Sequence, residues 1–247
     1  VSGPWDRHLV FARRRAYPHL IAQRSTRMTN RLRPARPPSC AAGASRVLLA
    51  IAALTLALPP ASAWVLTINN GPKAAFLQVG VGSYSGTYQS GGTPLNNTTV
   101  NTVSVTVPAS VVGSGTAQAM TSNSTQSNSF YDNFAVCNPP SQVYIGGWVR
   151  TANGAGSGVL SVTSPASLTS ASPAGSIPFT QISWTSTANG NSAADIPAGT
   201  FNGGTQALRT IAAGTWVENC FTFYYANSAV VRAATYTGQV TYTLVLP

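Results

Sequence analysis

After residue 63 this chain contains no histidine; the two it has, His8 and His19, lie before that point. Ser-His-Asp and Cys-His catalysis and histidine-based zinc sites are thereby excluded from residues 64–247. Carboxylates are nearly as scarce. Only Asp132, Asp195 and Glu218 follow residue 63. A glycosidase needs two carboxylates about 5–10 Å apart, and no local motif brings any two of these together. Asp132 and Glu218 read as exposed strand positions. Asp195, in the stretch Asn189-Gly190 to Asp195, lacks the carboxylate number and spacing of a calcium loop. Gly80-Val81-Gly82 and Gly113-Ser114-Gly115 precede neither a helical pattern nor a GK[ST] sequence, so no phosphate cradle is expected. Apolar residues at helical i, i+3, i+4 spacing never persist beyond two turns.

Positive charge is plentiful but confined. The chain carries a formal +10. Residues 1–63 hold ten arginines against Asp6 alone. Residues 64–247 hold Lys73, Arg150, Arg209 and Arg232 against three carboxylates, a net +1. The folded part thus lacks the electrostatic footprint of a nucleic-acid binder. Within the basic part, Val47 to Leu58 is an uncharged run of 12 residues. It is shorter than the roughly 20 residues needed to span a bilayer. Arginines precede it and Pro59-Pro60-Ala61-Ser62-Ala63 follows, the pattern of a secretory signal peptide with cleavage between Ala63 and Trp64. Residues 1–27 read as an upstream extension, expected to be disordered. Residues 28–63 read as the signal peptide, helical, starting at Met28. Residues 64–247 read as one exported domain, periplasmic, extracellular or at the cell surface, with no membrane segment after cleavage. Removing the leader removes Cys40 and leaves Cys137 and Cys220. An even pair in an exported chain reads as a disulfide; two buried free thiols are the alternative.

From Trp64 onward short β-branched and aromatic runs alternate with Gly, Asn, Pro and Ser, which predicts an all-β antiparallel sandwich, Ig-like or jelly-roll-like. Expected strands cover 64–68, 74–81, 99–107, 115–121, 130–137, 142–151, 159–163, 179–185 and 207–211. Pro165 to Pro178 reads as a loop, Asn153-Gly154 as a hairpin turn, and Gly146-Gly147 as a bulge or a close backbone approach. Val217 to Tyr225 is apolar on both faces, as a central strand is. Tyr236 to Leu246 alternates strictly, with Tyr236, Val240, Tyr242, Leu244 and Leu246 on one face and Thr237, Gln239, Thr241 and Thr243 on the other. That is the pattern of a half-buried antiparallel strand.

The aromatics Tyr84, Tyr88, Trp148, Trp184 and Trp216 are the remaining ligand candidates, able to stack on sugars where exposed and core residues otherwise. Asn96, Asn97 and Asn123 start N-x-[ST] sequons, which Thr-rich loops also produce by chance. The ending Ala234-Thr235-Tyr236-Thr237-Gly238-Gln239-Val240-Thr241-Tyr242-Thr243-Leu244 resembles the last strand of secreted bacterial pilin-like domains of the spore-coat-U and chaperone–usher fimbrial families. That resemblance covers about a dozen residues. It implies a non-enzymatic structural or adhesive protein of the cell surface, a fimbria-like subunit that assembles or oligomerises by strand addition, with Trp64 to Ile68 completing a neighbour's sheet. Two departures stand out. The fimbrial disulfide joins residues near the start of the domain, whereas Cys137 and Cys220 are distant, and no separate donor peptide precedes the first strand. The alternative expectation is a secreted carbohydrate-binding module with glycan partners. No cofactor, metal or nucleic acid is expected under either reading.

Overall fold

A computed structural model of the chain describes residues 5–13, for which only the backbone is described, and residues 67–171, 175–188 and 194–246. The expected signal peptide, its Ala63–Trp64 cleavage point and the Asn189-Gly190 turn lie outside the described residues.

The protein is all β. The strands are β1 Trp5–Arg13, β2 Ala74–Val79, β3 Asn101–Val105, β4 Gln118–Ala119, β5 Thr121–Ser122, β6 Val143–Arg150 and β7 Ser157–Thr163. They continue with β8 Ser167–Thr169, β9 Ser176–Pro178, β10 Ile182–Ala188, β11 Gly199–Thr200, β12 Thr205–Ala212, β13 Trp216–Tyr225 and β14 Thr237–Val245. One sheet runs β12-β7-β14-β1-β3-β5, with β8 attached to β14 and β9 to β8; the other runs β11-β10-β13-β6-β2, with β4 attached to β13. Every pairing is antiparallel except that of β1 with β3.

The sheets meet across one apolar core. Leu77, Val79, Ile145, Val149, Phe221 and Phe223 from one sheet pack with Val103, Leu160, Val162, Val240, Tyr242 and Leu244 from the other. The alternation of β14 appears as expected: Val240, Tyr242 and Leu244 are buried, and Thr237 and Val245 are exposed. Strand β13 is buried along nearly its whole length and lies between β10 and β6, the central place its two apolar faces predict.

Several local expectations are corrected. Phe130 to Cys137 is not a strand but a run of turns. Asp132 accepts the Phe134 amide at 3.0 Å and Asn133 sits at φ +69°, so the Asx side chain and a left-handed residue break the extended chain. Pro165 to Pro178 is not all loop, because β8 and β9 pair there. Leu168 and Ile177 each bury an apolar side chain, and those two anchors suffice for a short hairpin. Asn153-Gly154 turns the chain, but β6 and β7 belong to different sheets, so the turn carries the chain across the sandwich instead of closing a hairpin. At Gly146-Gly147 the register continues without a bulge. The close-approach reading holds instead: a Cβ on Gly147 would lie 2.6 Å from the Phe76 carbonyl oxygen.

Cys137 and Cys220 form a disulfide, with Cα atoms 5.4 Å apart and a sequence separation of 83. It ties the 127–137 turns to the central strand. Closing a loop of that length constrains the unfolded chain by about 4–5 kcal/mol in the chain-entropy picture, with native strain lowering the yield. The double variant Cys137→Ser/Cys220→Ser is therefore expected to lose about 2–5 kcal/mol in urea denaturation, read as a lowered midpoint.

Candidate functional site

Two places in the fold are unusual: the seat of β1 and the covered outer face of β13. Strand β1 pairs with β14 from Trp5↔Leu244 to Ala12↔Thr237 and with β3 from Leu9↔Asn101 to Arg13↔Val105. Among the described residues β14 and β3 have no pairing with each other; they are separated by the width of one strand. Further along the chain, Thr67 bridges Thr215 and the Ile68 amide donates to the Gly214 carbonyl at 2.8 Å. The end of the expected first strand is thus attached beside the start of β13.

The outer face of β13 carries a second core. Alternation places Trp216, Glu218 and Cys220 on the face opposite Phe221 and Phe223. Trp216 and Cys220 pack with Ile68, Phe76, Phe130, Cys137, Tyr144 and Trp148, and Tyr84, Tyr88 and Tyr131 close over them. The rings interlock. Phe76 stacks on Trp148 at 6.2 Å, Phe130 meets Tyr144 edge-on at 5.3 Å, and Tyr131 meets Trp216 edge-on at 5.5 Å. Such pairs add about 0.5–1.5 kcal/mol each beyond area burial.

In the midst of these rings lies Glu218, 1% exposed. The expectation of an exposed strand position for it is overturned. A strand residue between Trp216 and Cys220 shares their face, and the two loops that cover that face cover Glu218 as well. Its Oε2 accepts from Tyr144 OH at 2.7 Å, Ser129 Oγ at 2.8 Å and Trp216 Nε1 at 3.1 Å. Burial raises the Glu218 pKa above the ordinary carboxylate range, and the three donors only partly offset it. Asp132 adds a like charge that pushes the same way. Burial, then the neighbouring Glu218 charge, holds the Tyr144 phenol well above its usual value, so Tyr144 remains a donor. Little in the sequence separates Glu218 from an exposed strand carboxylate. Its position between two large apolar neighbours on a strand already read as central is the one feature pointing inward.

The other expected site residues are spread over the molecule. Trp184 is buried in the main core, stacked on Phe221 at 5.7 Å, and its indole N–H donates to the Pro197 carbonyl at 2.9 Å. Trp148 is buried in the second core with Arg150 5.4 Å over its ring. Tyr84 and Tyr88 are half-buried. Desolvation pushes the Tyr84 phenol up to about 12. Tyr88 stacks on Tyr131 at 5.9 Å and accepts the Asn69 amide at 3.2 Å. Asp195 is half-buried, and that burial raises its pKa against the opposing pull of Arg209. Asn97 donates from Nδ2 to the Val81 carbonyl, so that sequon amide is engaged, whereas Asn96 and Asn123 are exposed. Among the described residues no three His, Cys, Asp or Glu side chains converge as metal ligands.

No family model, curated protein or solved structure matches the chain.

The two tryptophans are therefore structural probes first. Trp184→Ala removes a fully packed ring and is expected to cost about 3–5 kcal/mol, measured by chemical denaturation. Tyr88→Ala, at a half-exposed position, is expected to cost less than half as much. Equal losses from both would contradict this ranking.

Proposed function

We propose that the protein is a non-enzymatic, exported structural subunit of a surface assembly, joined to its neighbours by strand addition. The observation that carries this reading is the one-strand seat between β14 and β3. With residues 1–63 removed by export, as the leader pattern suggests, β1 goes with them. Both flanking strands then present unpaired N–H and C=O groups along a sheet interior. An unpaired edge of that kind is a template for a strand from another chain. The likeness of the final strand to the last strand of the spore-coat-U and chaperone–usher fimbrial families supports the same reading, because that strand, β14, forms one wall of the seat. The donor in this reading is the segment beginning at Trp64. Thr67 and Ile68 are held by their own chain, so the exchanged part precedes them or detaches them.

The test is made on protein secreted with its own leader and purified with the disulfide intact. Light scattering is expected to give oligomers. Deleting Trp64–Asn69, or adding in excess a peptide with the sequence of Trp5–Arg13, is expected to return monomers, the peptide raising the melting temperature as it fills the seat. A parent protein that is monomeric, unaffected by the peptide and unchanged in heat stability by the deletion would overturn the proposal.

A further inference from the structure

Residues 67–69 are attached to the aromatic side of β13 by few contacts. Ile68 is 2% exposed and packs in the second core. Its amide donates to the Gly214 carbonyl at 2.8 Å, and Thr67 bridges Thr215. The Tyr131 hydroxyl donates to the Thr67 carbonyl at 3.5 Å, and the Tyr88 hydroxyl accepts the Asn69 amide at 3.2 Å. Thr67 and Asn69 are themselves exposed. The attachment changes character two residues on. The Gly71 amide donates to the Thr151 carbonyl at 3.1 Å, and Arg150 Nε donates to the Pro72 carbonyl at 3.1 Å, just before β2 begins. The chain thus has a root at 71–72 and, before it, a short arm docked through one buried side chain.

We infer that this docking is a latch: Ile68, Tyr88 and Tyr131 park residues 67–69 on their own chain until a second copy takes the arm that contains them. The inference rests on the strand-addition reading above and adds what holds the donor back. The parked position cannot serve the arm's own seat. Strand β1 starts beside Leu244 and runs away from it. The docked residues lie at that same end of the sandwich. Ile68 is bonded to Gly214, and the neighbouring Ala213 amide donates to the Gly156 carbonyl at 2.9 Å. Strand β7 follows Gly156 and pairs with the end of β14 at Val159↔Val245. Trp64 to Leu66 precede Thr67, so on entering the seat from this end they would run toward Leu244, parallel to β14 and opposite to β1. An arm released by a second copy is free of that constraint and can take the direction of β1. With Trp64 in the place of Trp5, Leu66 and Ile68 stand opposite Tyr242 and Val240, which are both buried. Ile68 cannot fill its own core and a neighbour's seat at once, so each added strand requires one latch to open. The seat offers ladders on both sides, against a single bridge at the latch. The latch therefore sets the rate of assembly rather than its end point.

Assembly kinetics of the secreted, disulfide-bonded protein test this. Monomer is isolated by size exclusion, and oligomer growth is followed by light scattering. Tyr88→Phe and Tyr131→Phe keep the rings and remove the hydroxyls. The net strength of one such hydrogen bond corresponds to about a two- to tenfold change in an equilibrium, so Tyr88→Phe is expected to speed assembly within that range. Tyr131→Phe is expected to do less, because its bond is longer. The final extent of assembly is expected to match the parent's in both. Hydrogen exchange on the monomer reads the latch directly. The Ile68 amide is expected to exchange faster in Tyr88→Phe by the same factor as the gain in rate, with the amides of Phe221 to Tyr225 unchanged, which also shows that the variant is folded. Oligomers that grow in both variants at the parent's rate or more slowly would overturn the latch and leave strand addition standing. A parent that stays monomeric would overturn strand addition and the latch with it.

Discussion

Strand β13 has no side to give to water, and the rest of the molecule is arranged around that constraint. One face, with Phe221, Phe223 and Tyr225, is covered by the opposite sheet, as a sandwich requires. The other, with Trp216, Glu218 and Cys220, lies on what would ordinarily be the solvated face of an antiparallel sheet. Among the described residues no third sheet covers it. The chain covers it instead with two segments that are mostly turns, 82–97 and 127–137, whose rings fill the space a sheet would have filled.

That solution has a chemical consequence. Loops cover a surface less completely than strands do, because each of their backbone groups needs its own partner. Here several of those partners are side chains: Asp132 for the Phe134 amide, Ser129 for the Tyr131 amide, and Ser85 for the Thr93 amide. The disulfide then ties the end of the 127–137 cover to β13 covalently. The carboxyl caught under such a cover accepts from two hydroxyls and an indole N–H, which stand in for the water that the cover excludes.

The opposite sheet has a different weakness. Its middle is occupied by β1, the strand farthest in sequence from β14, its antiparallel neighbour. A seat in the middle of a sheet, once vacant, exposes two edges rather than one. The strand exchange proposed above would use both of those edges at once.

Much of the fold was legible in the residues. The double apolar pattern of Val217 to Tyr225 specified a central strand, and the alternation of Tyr236 to Leu246 specified which face of the last strand is buried, because side-chain period depends on backbone geometry alone. Cysteine parity pointed to the disulfide, and lone Gly-Gly pairing to a close approach at Gly147. What local pattern could not decide was anything requiring knowledge of the partner. Asn153-Gly154 makes the same turn whether it closes a hairpin or crosses between sheets. Phe130 to Cys137 is apolar enough for a strand, yet its role is to lie over one. Glu218 has the local surroundings of an exposed strand carboxylate, and it is buried only because residues about 90 and 130 positions earlier in the chain return to cover it. Sequence period determined which side chains share a face; only the tertiary structure decided what meets that face, since burial is a property of two surfaces and the second is distant in the chain.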